Sequence, residues 1–269
     1  METGELGIDG VRIAYTRRGK GSPLVLIHGY PLDRSIWDPV VSILESEFDM
    51  IMPDLRGFGG SEVKDAGRAI LAYAADLAGL MDRLGATRAF VAGHSMGGYV
   101  ALALLRHYPE RLMGLGLVAS QILPDPPDRR QARYAAAQEV LAKGVGPVAE
   151  AMAPKLSGDD GIQATVRALI SRQRPAGLAS ALEAMAERPN STDVISTCPL
   201  PMVVVHGQAD ALIPVARGRE IKIALPAAHY AELSGAGHMP MMEYPGGVAD
   251  ALRFFHHPAD TTSAQGLQH

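Results

Sequence analysis

Short apolar, β-branched runs alternate with longer stretches of helical spacing along most of this chain. That rhythm restricts the fold to parallel strands joined by crossover helices. Residues 24–27 form a near-continuous apolar run, as expected of a strand covered by helices on both faces. Residues 48–52, 88–92, 115–118 and 202–205 read the same way, and a shorter strand is expected at 229–233. Helical periodicity occupies 38–46, 68–84 and 96–107 between them, with a last helix near 247–256. Two earlier runs, 6–9 and 11–17, meet at Asp9-Gly10 and predict a leading antiparallel hairpin. The expected class is α/β, a mostly parallel eight-stranded sheet flanked by helices.

The rhythm breaks between residues 121 and 197, an alanine-rich stretch with helical spacing at 129–141, 161–171 and 178–187. Prolines and glycines punctuate it at Pro124, Pro126, Pro127, Gly144, Pro147, Pro154 and Pro175. An all-helical insertion in an alternating chain reads as a cap over the sheet. The expected organisation is therefore a core of 1–120 and 198–257, a helical cap of 121–197 and a disordered polar tail of 258–269.

Bulk properties exclude several classes. With 47% hydrophobic and 20% charged residues over 269 positions, the chain can bury a sizeable core without disulfides or metals. Its formal charge of −4 gives no broad electrostatic reason to expect nucleic acid or an anionic membrane as partner. The single cysteine, Cys198, precludes an internal disulfide and reads as a small structural hydrophobe. Residues 1–10 lack the basic-then-apolar order of a signal peptide, and no apolar stretch approaches the ~18 residues of a membrane span, so a cytoplasmic location is expected. No metal-ligand spacing and no G-x-G-x-x-G after the first strand occur, so neither metal nor other cofactor is expected.

The strongest chemical signal is Gly93-His94-Ser95-Met96-Gly97, set between the strand ending near Ala92 and the helix beginning near Met96. In that context G-x-S-x-G reads as a nucleophile elbow. A sharp strand-to-helix turn strains the serine backbone and admits only small neighbours, hence Gly93 and Gly97. It also places a helix N-terminus beneath any developing oxyanion. His94 is set aside as a base, because adjacent residues at such a turn point in different directions.

With these motifs the chain resembles the α/β-hydrolase family. His28-Gly29-Tyr30-Pro31 looks like that family's H-G-x-P loop, and Asp54-Leu55-Arg56-Gly57-Phe58-Gly59-Gly60-Ser61 like its D-x-R-G-x-G-x-S loop. His206-Gly207-Gln208-Ala209-Asp210 is similar to the acid loop and Gly235-Ala236-Gly237-His238 to the histidine loop. The resemblance gives His28 and His206 structural roles. A serine hydroxyl needs a base, and His238 follows a short strand and a Gly-Ala-Gly turn that brings its imidazole to the sheet edge. His107 is expected to cap its helix, while His256, His257 and His269 lie at or beyond the last helix.

The base needs an acidic orienter. Asp210 supplies the order Ser95, Asp210, His238 expected of this fold; the competitor is Asp125, which otherwise reads as a solvated loop carboxylate. The backbone amides of Tyr30 and Met96 are the expected oxyanion hole, with the Tyr30 ring either lining an acyl pocket or filling space. Asp54, Arg56 and Ser61 are expected to organise a loop. Met152, Met185, Met239, Met241 and Met242 are candidates for an apolar pocket, with core positions as the alternative.

The implied activity is acyl transfer on a small-molecule carboxylic ester or lactone through Ser95. The resemblance is strongest to small carboxylesterases, enol-lactonases and cofactor-free haloperoxidase-type perhydrolases. C–C bond hydrolysis and a receptor retaining the fold are alternatives. Neither acyl-chain preference nor oligomeric state is legible.

Overall fold

The computed structural model describes residues 1–64, 66 and 69–256. The tail expected at 258–269, together with His257 and Arg68, lies outside the described residues. Among the described residues eight strands form one sheet: β1 (Glu2–Ile8), β2 (Val11–Gly19), β3 (Ser22–Ile27), β4 (Phe48–Pro53), β5 (Ala89–His94), β6 (Leu112–Val118), β7 (Met202–Gly207) and β8 (His229–Leu233). Their order is β1-β2-β4-β3-β5-β6-β7-β8. Pairing is antiparallel from β1 through β2 to β4 and parallel elsewhere.

Alternation along each central strand divides the core into two layers. Val25, Ile27, Val91, Met202 and Val204 point to one face, where α2 (Ile70–Arg83) and α3 (Met96–His107) supply Tyr73, Leu77 and Val100. Leu24, Leu26, Phe90, Val203 and Val205 point to the other, against α1 (Asp38–Leu44) and α11 (Pro245–Arg253). Burial on both faces explains why these strands read as continuous apolar runs. β5 outlasts the expected strand because its pairing with β6 continues to His94 opposite Val118.

Between β6 and β7 the chain is all helix: α4 (Pro127–Lys143), α5 (Gly146–Leu156), α6 (Asp160–Ser171), α7 (Pro175–Ala186) and α8 (Thr192–Ser196). α5 was not anticipated. Pro147 sits in its first turn, where a missing N–H costs nothing, and Pro154 falls in its last. Two prolines that read as punctuation are thus built into one helix. α9 (Ala216–Ala224) and the short α10 (Pro240–Glu243), between β7 and α11, were also not anticipated. No described helix is long and apolar enough to cross a membrane.

Candidate active site

Parallel pairing brings the ends of β3, β4, β5, β6, β7 and β8 to one edge of the sheet, and Tyr30, Asp54, Ser95, Asp125, Asp210 and His238 each lie beyond one of these ends. Ser95 occupies the turn between β5 and α3 with φ 51° and ψ −113°, a strained conformation for a side chain with a Cβ. The turn is pinned on both sides: the Ser95 N–H donates to the Val118 carbonyl at 2.9 Å, and the Ser95 carbonyl accepts from Ser120 Oγ at 2.9 Å. The glycines are there for space. A Cβ at Gly93 would lie 2.1 Å from the Gly97 carbonyl oxygen, and one at Gly97 would lie 2.5 Å from that of Ile27. The first turn of α3 therefore rests directly on the end of β3.

The His28–Pro31 loop packs against the same turn. A Cβ on Gly29 would sit 3.0 Å from the His94 carbonyl oxygen. His28 is fully buried; its Nδ1 donates to the Gly29 carbonyl at 3.0 Å and its Nε2 accepts from the Leu55 N–H at 2.9 Å. Burial pushes its pKa down, which suits a neutral, structural imidazole. The Tyr30–Pro31 peptide is cis. The Tyr30 ring is buried edge-on to Phe58, and burial pushes its phenol up.

His238 and Asp210 are joined. His238 Nδ1 lies 2.7 Å from Asp210 Oδ2, with both side chains buried. Asp210 Oδ1 accepts from the Leu212 and Ile213 N–H groups at 2.9 Å each, which fixes the carboxylate plane. Burial alone would raise the Asp210 pKa. Hydrogen bonding from His206 and His238 outweighs it and holds the carboxyl well below the usual carboxylate range. An ionised carboxylate only accepts, so Nδ1 of His238 carries the proton and Nε2 keeps its lone pair. His206 donates from Nε2 to the Ile213 carbonyl at 2.7 Å and so ties the end of β7 to the loop that follows Asp210. Ser95 Oγ makes no hydrogen bond to His238 among the described residues; such contacts often tighten only with substrate bound.

The Asp54–Ser61 loop is held by its own polar groups. Asp54 accepts from the Arg34 N–H at 2.9 Å and the Gly60 N–H at 2.7 Å, and also pairs with the Arg34 guanidinium. Arg56 grips Asp76 through two bonds of 2.6 Å, and Ser61 Oγ donates to the Asp54 carbonyl at 2.6 Å.

Asp125 corrects an expectation. It is not a solvated loop carboxylate: its side chain is fully buried and meets three guanidinium groups, from Arg133, Arg188 at 2.8 Å and Arg129 at 3.6 Å. Burial works against its charge, but the hydrogen bonds from Arg188 and Arg133 prevail and lower its pKa. Arg188 also lies over the Tyr99 ring, 4.3 Å from its centroid. Asp125 thus ties α4 and the segment after α7 to the core, and its ion-pair partners among the described residues are arginines. Met185, Met239 and Met241 are buried core residues, while Met152 and Met242 are half-buried against the second apolar layer. Cys198 packs, half-buried, against the first.

Residues 24–251 match the model of the Alpha/beta hydrolase family. The chain belongs to that family. Among solved structures, a thermophilic esterase from Thermogutta terrifontis superposes with a TM-score of 0.90 at 36% identity, covering 96% of this chain and 98% of that one. The enol-lactonase from Burkholderia xenovorans LB400 superposes with a TM-score of 0.86 at 26% identity, over 94% of this chain and 100% of that one. The acetyltransferase component of the acetoin cleaving system of Cupriavidus necator is 30% identical over 88% of this chain. The chain spans only 64% of that relative's length. The edge that carries Ser95, Asp210 and His238 is thus an edge of the α/β-hydrolase fold.

Proposed function

We propose that this α/β-hydrolase family member is a serine esterase that cleaves a small or medium carboxylic ester or lactone through an acyl-enzyme on Ser95. The observation that carries the reading is the buried His238 Nδ1–Asp210 Oδ2 bond of 2.7 Å, with the His238 ring 4.9 Å from that of His94, the residue before a strained Ser95. It leaves Nε2 of His238 as the only nitrogen of that ring able to take a proton. His238 removes the Ser95 proton as Oγ attacks the carbonyl; Asp210 stabilises the imidazolium. In this reading the Met96 amide, at the start of α3, and the Tyr30 amide donate to the oxyanion. His238 then returns the proton to the leaving alkoxide, and water hydrolyses the acyl-enzyme by the reverse route. Helices α4–α8 act as the cap that shapes the acyl site. The esterase and enol-lactonase relatives support the ester or lactone class.

Turnover of p-nitrophenyl acetate by the wild type and Ser95→Ala tests this. Multiple turnovers lost by roughly 10⁴-fold or more in the variant are expected. Unchanged turnover in Ser95→Ala would remove the mechanism, and a single stoichiometric burst in the wild type would favour a receptor.

A further inference from the structure

His94 stands directly before the nucleophile, yet its side chain serves two other loops. The ring is fully buried. Its Nε2 lies 2.8 Å from the backbone carbonyl oxygen of His238, so Nε2 is the protonated nitrogen and donates. The two imidazoles sit 4.9 Å apart, tilted by 56°. On its far side the ring abuts the His28–Pro31 loop: Nδ1 is buried without a hydrogen-bond partner, and a Cβ on Gly29 would fall 2.5 Å from it. Burial, and then the adjacent His238, push the His94 pKa far below its ordinary value, so the ring stays neutral.

One residue therefore touches three parts of the candidate site. Its backbone leads into Ser95, its ring edge contacts Gly29 beside the Tyr30 amide, and its N–H anchors the backbone that carries His238. Other anchors of the His238 loop come from elsewhere: the His238 N–H donates to the Leu156 carbonyl at 3.0 Å, the Ala236 carbonyl accepts from the Ala209 N–H at 2.8 Å, and the Gly237 N–H donates to the Glu243 carboxylate at 2.7 Å. Leu156 belongs to the helical segment, whereas His94 belongs to the strand that carries the nucleophile.

We propose that His94 is a positioning residue, a wedge whose Nε2–H bond to the His238 carbonyl sets the base in register with Ser95 and the Tyr30 amide. The proposal rests on the acyl-enzyme reading above. It explains why a histidine occupies a buried position that an apolar side chain would fill without leaving Nδ1 unsatisfied. Misplacement of a catalytic group by about 1 Å costs on the order of 10²-fold in rate.

Glutamine and asparagine separate positioning from packing, because they carry the same amide at different reach. Glutamine places its N–H near the position of Nε2; asparagine stops near Nδ1, short of the His238 carbonyl. With p-nitrophenyl acetate, kcat should fall by about 10- to 100-fold in His94→Asn, and stay near wild type in His94→Gln, with KM little changed in both. The rate of Ser95 phosphonylation by a p-nitrophenyl phosphonate should follow kcat. Equal kcat in the two folded variants overturns the proposal. Should His94→Asn not fold, a folded His94→Gln that has lost turnover overturns it equally. Ser95→Ala in the same assay keeps the two readings apart. Turnover surviving there defeats the acyl-enzyme itself, whereas turnover lost there but kept in His94→Asn defeats the wedge alone.

Discussion

Replacing Asp210 with asparagine should cost about 10⁴-fold in kcat while leaving the fold intact, and the geometry says why. Asp210 Oδ1 accepts from two backbone N–H groups at 2.9 Å each, and Oδ2 faces His238 Nδ1 at 2.7 Å. Asparagine can satisfy the backbone pair only with its carbonyl oxygen, which turns its NH₂ toward His238. Two donors then meet, and the imidazole can relieve the conflict only by moving its proton from Nδ1 to Nε2. That tautomer has no lone pair toward Ser95. At about 1.36 kcal/mol per decade, the loss corresponds to roughly 5 kcal/mol of transition-state stabilisation. The fold should persist, because the backbone amides keep their acceptor, although the stability that the ionised carboxylate contributes at neutral pH goes with its charge. The assay is kcat for p-nitrophenyl acetate at pH 8, with thermal unfolding measured in parallel. A folded Asp210→Asn whose kcat stays within about tenfold of wild type would refute the tautomer argument.

Asp125→Asn should do the opposite. It leaves three arginines around a neutral amide in a buried site, which should cost about 3–5 kcal/mol of stability while kcat of the folded fraction is retained; urea unfolding with activity measured below the transition checks it. Both Asp125 and Asp210 have carboxyl pKa values held below the ordinary range, so each contributes stability that is complete above the unfolded value of about 4 and is lost as the pH falls through the folded one. Thermal scans between pH 7 and pH 3 should show this loss, and Asp125→Asn should show a shallower fall than wild type; parallel curves would exclude the buried ion cluster as its source. Gly97→Ala should destabilise by about 1–3 kcal/mol or more, because its Cβ would meet the Ile27 and His28 carbonyl oxygens at 2.5 and 2.7 Å, and backbone there cannot yield cheaply. An unchanged urea midpoint would contradict that contact.

What the sequence made legible is what repeats or is local. Strands buried on both faces leave unbroken apolar runs, so β3, β4 and β7 could be read to within two residues of their ends. Gly93 announces the turn around Ser95 because the close contact it permits is with its near neighbour Gly97, whereas Gly97 makes room for the distant Ile27 and His28 carbonyls and only the pentapeptide pattern marks it. The Asp125 cluster was illegible for the converse reason. Its partners, Arg133 and Arg188, stand 8 and 63 residues away, and nothing in composition or spacing marks which arginines converge on one carboxylate. α5 hid behind its prolines, since a helix that starts on Pro147 and carries Pro154 in its last turn resembles a loop until packing decides. His94 adjoins Ser95 in sequence, but its ring meets the His238 carbonyl, a contact across 144 residues that no local pattern marks.

The contact between α5 and the histidine loop bears on how such chains can be recombined. The Leu156 carbonyl holds the His238 N–H, and Glu243 bridges Ser157 Oγ to the Gly237 N–H, the last bond at 2.7 Å. The end of α5 therefore packs into the loop that carries His238, and exchanging helices α4–α8 for those of a relative would import a foreign support for His238 along with the foreign helices. A chimera that grafts only the residues before Ala153 and after Asp159 preserves that joint; one cut at the strand ends does not. In this chain the segment that would choose the substrate and the loop that would turn it over share a hinge pin, and must be inherited together.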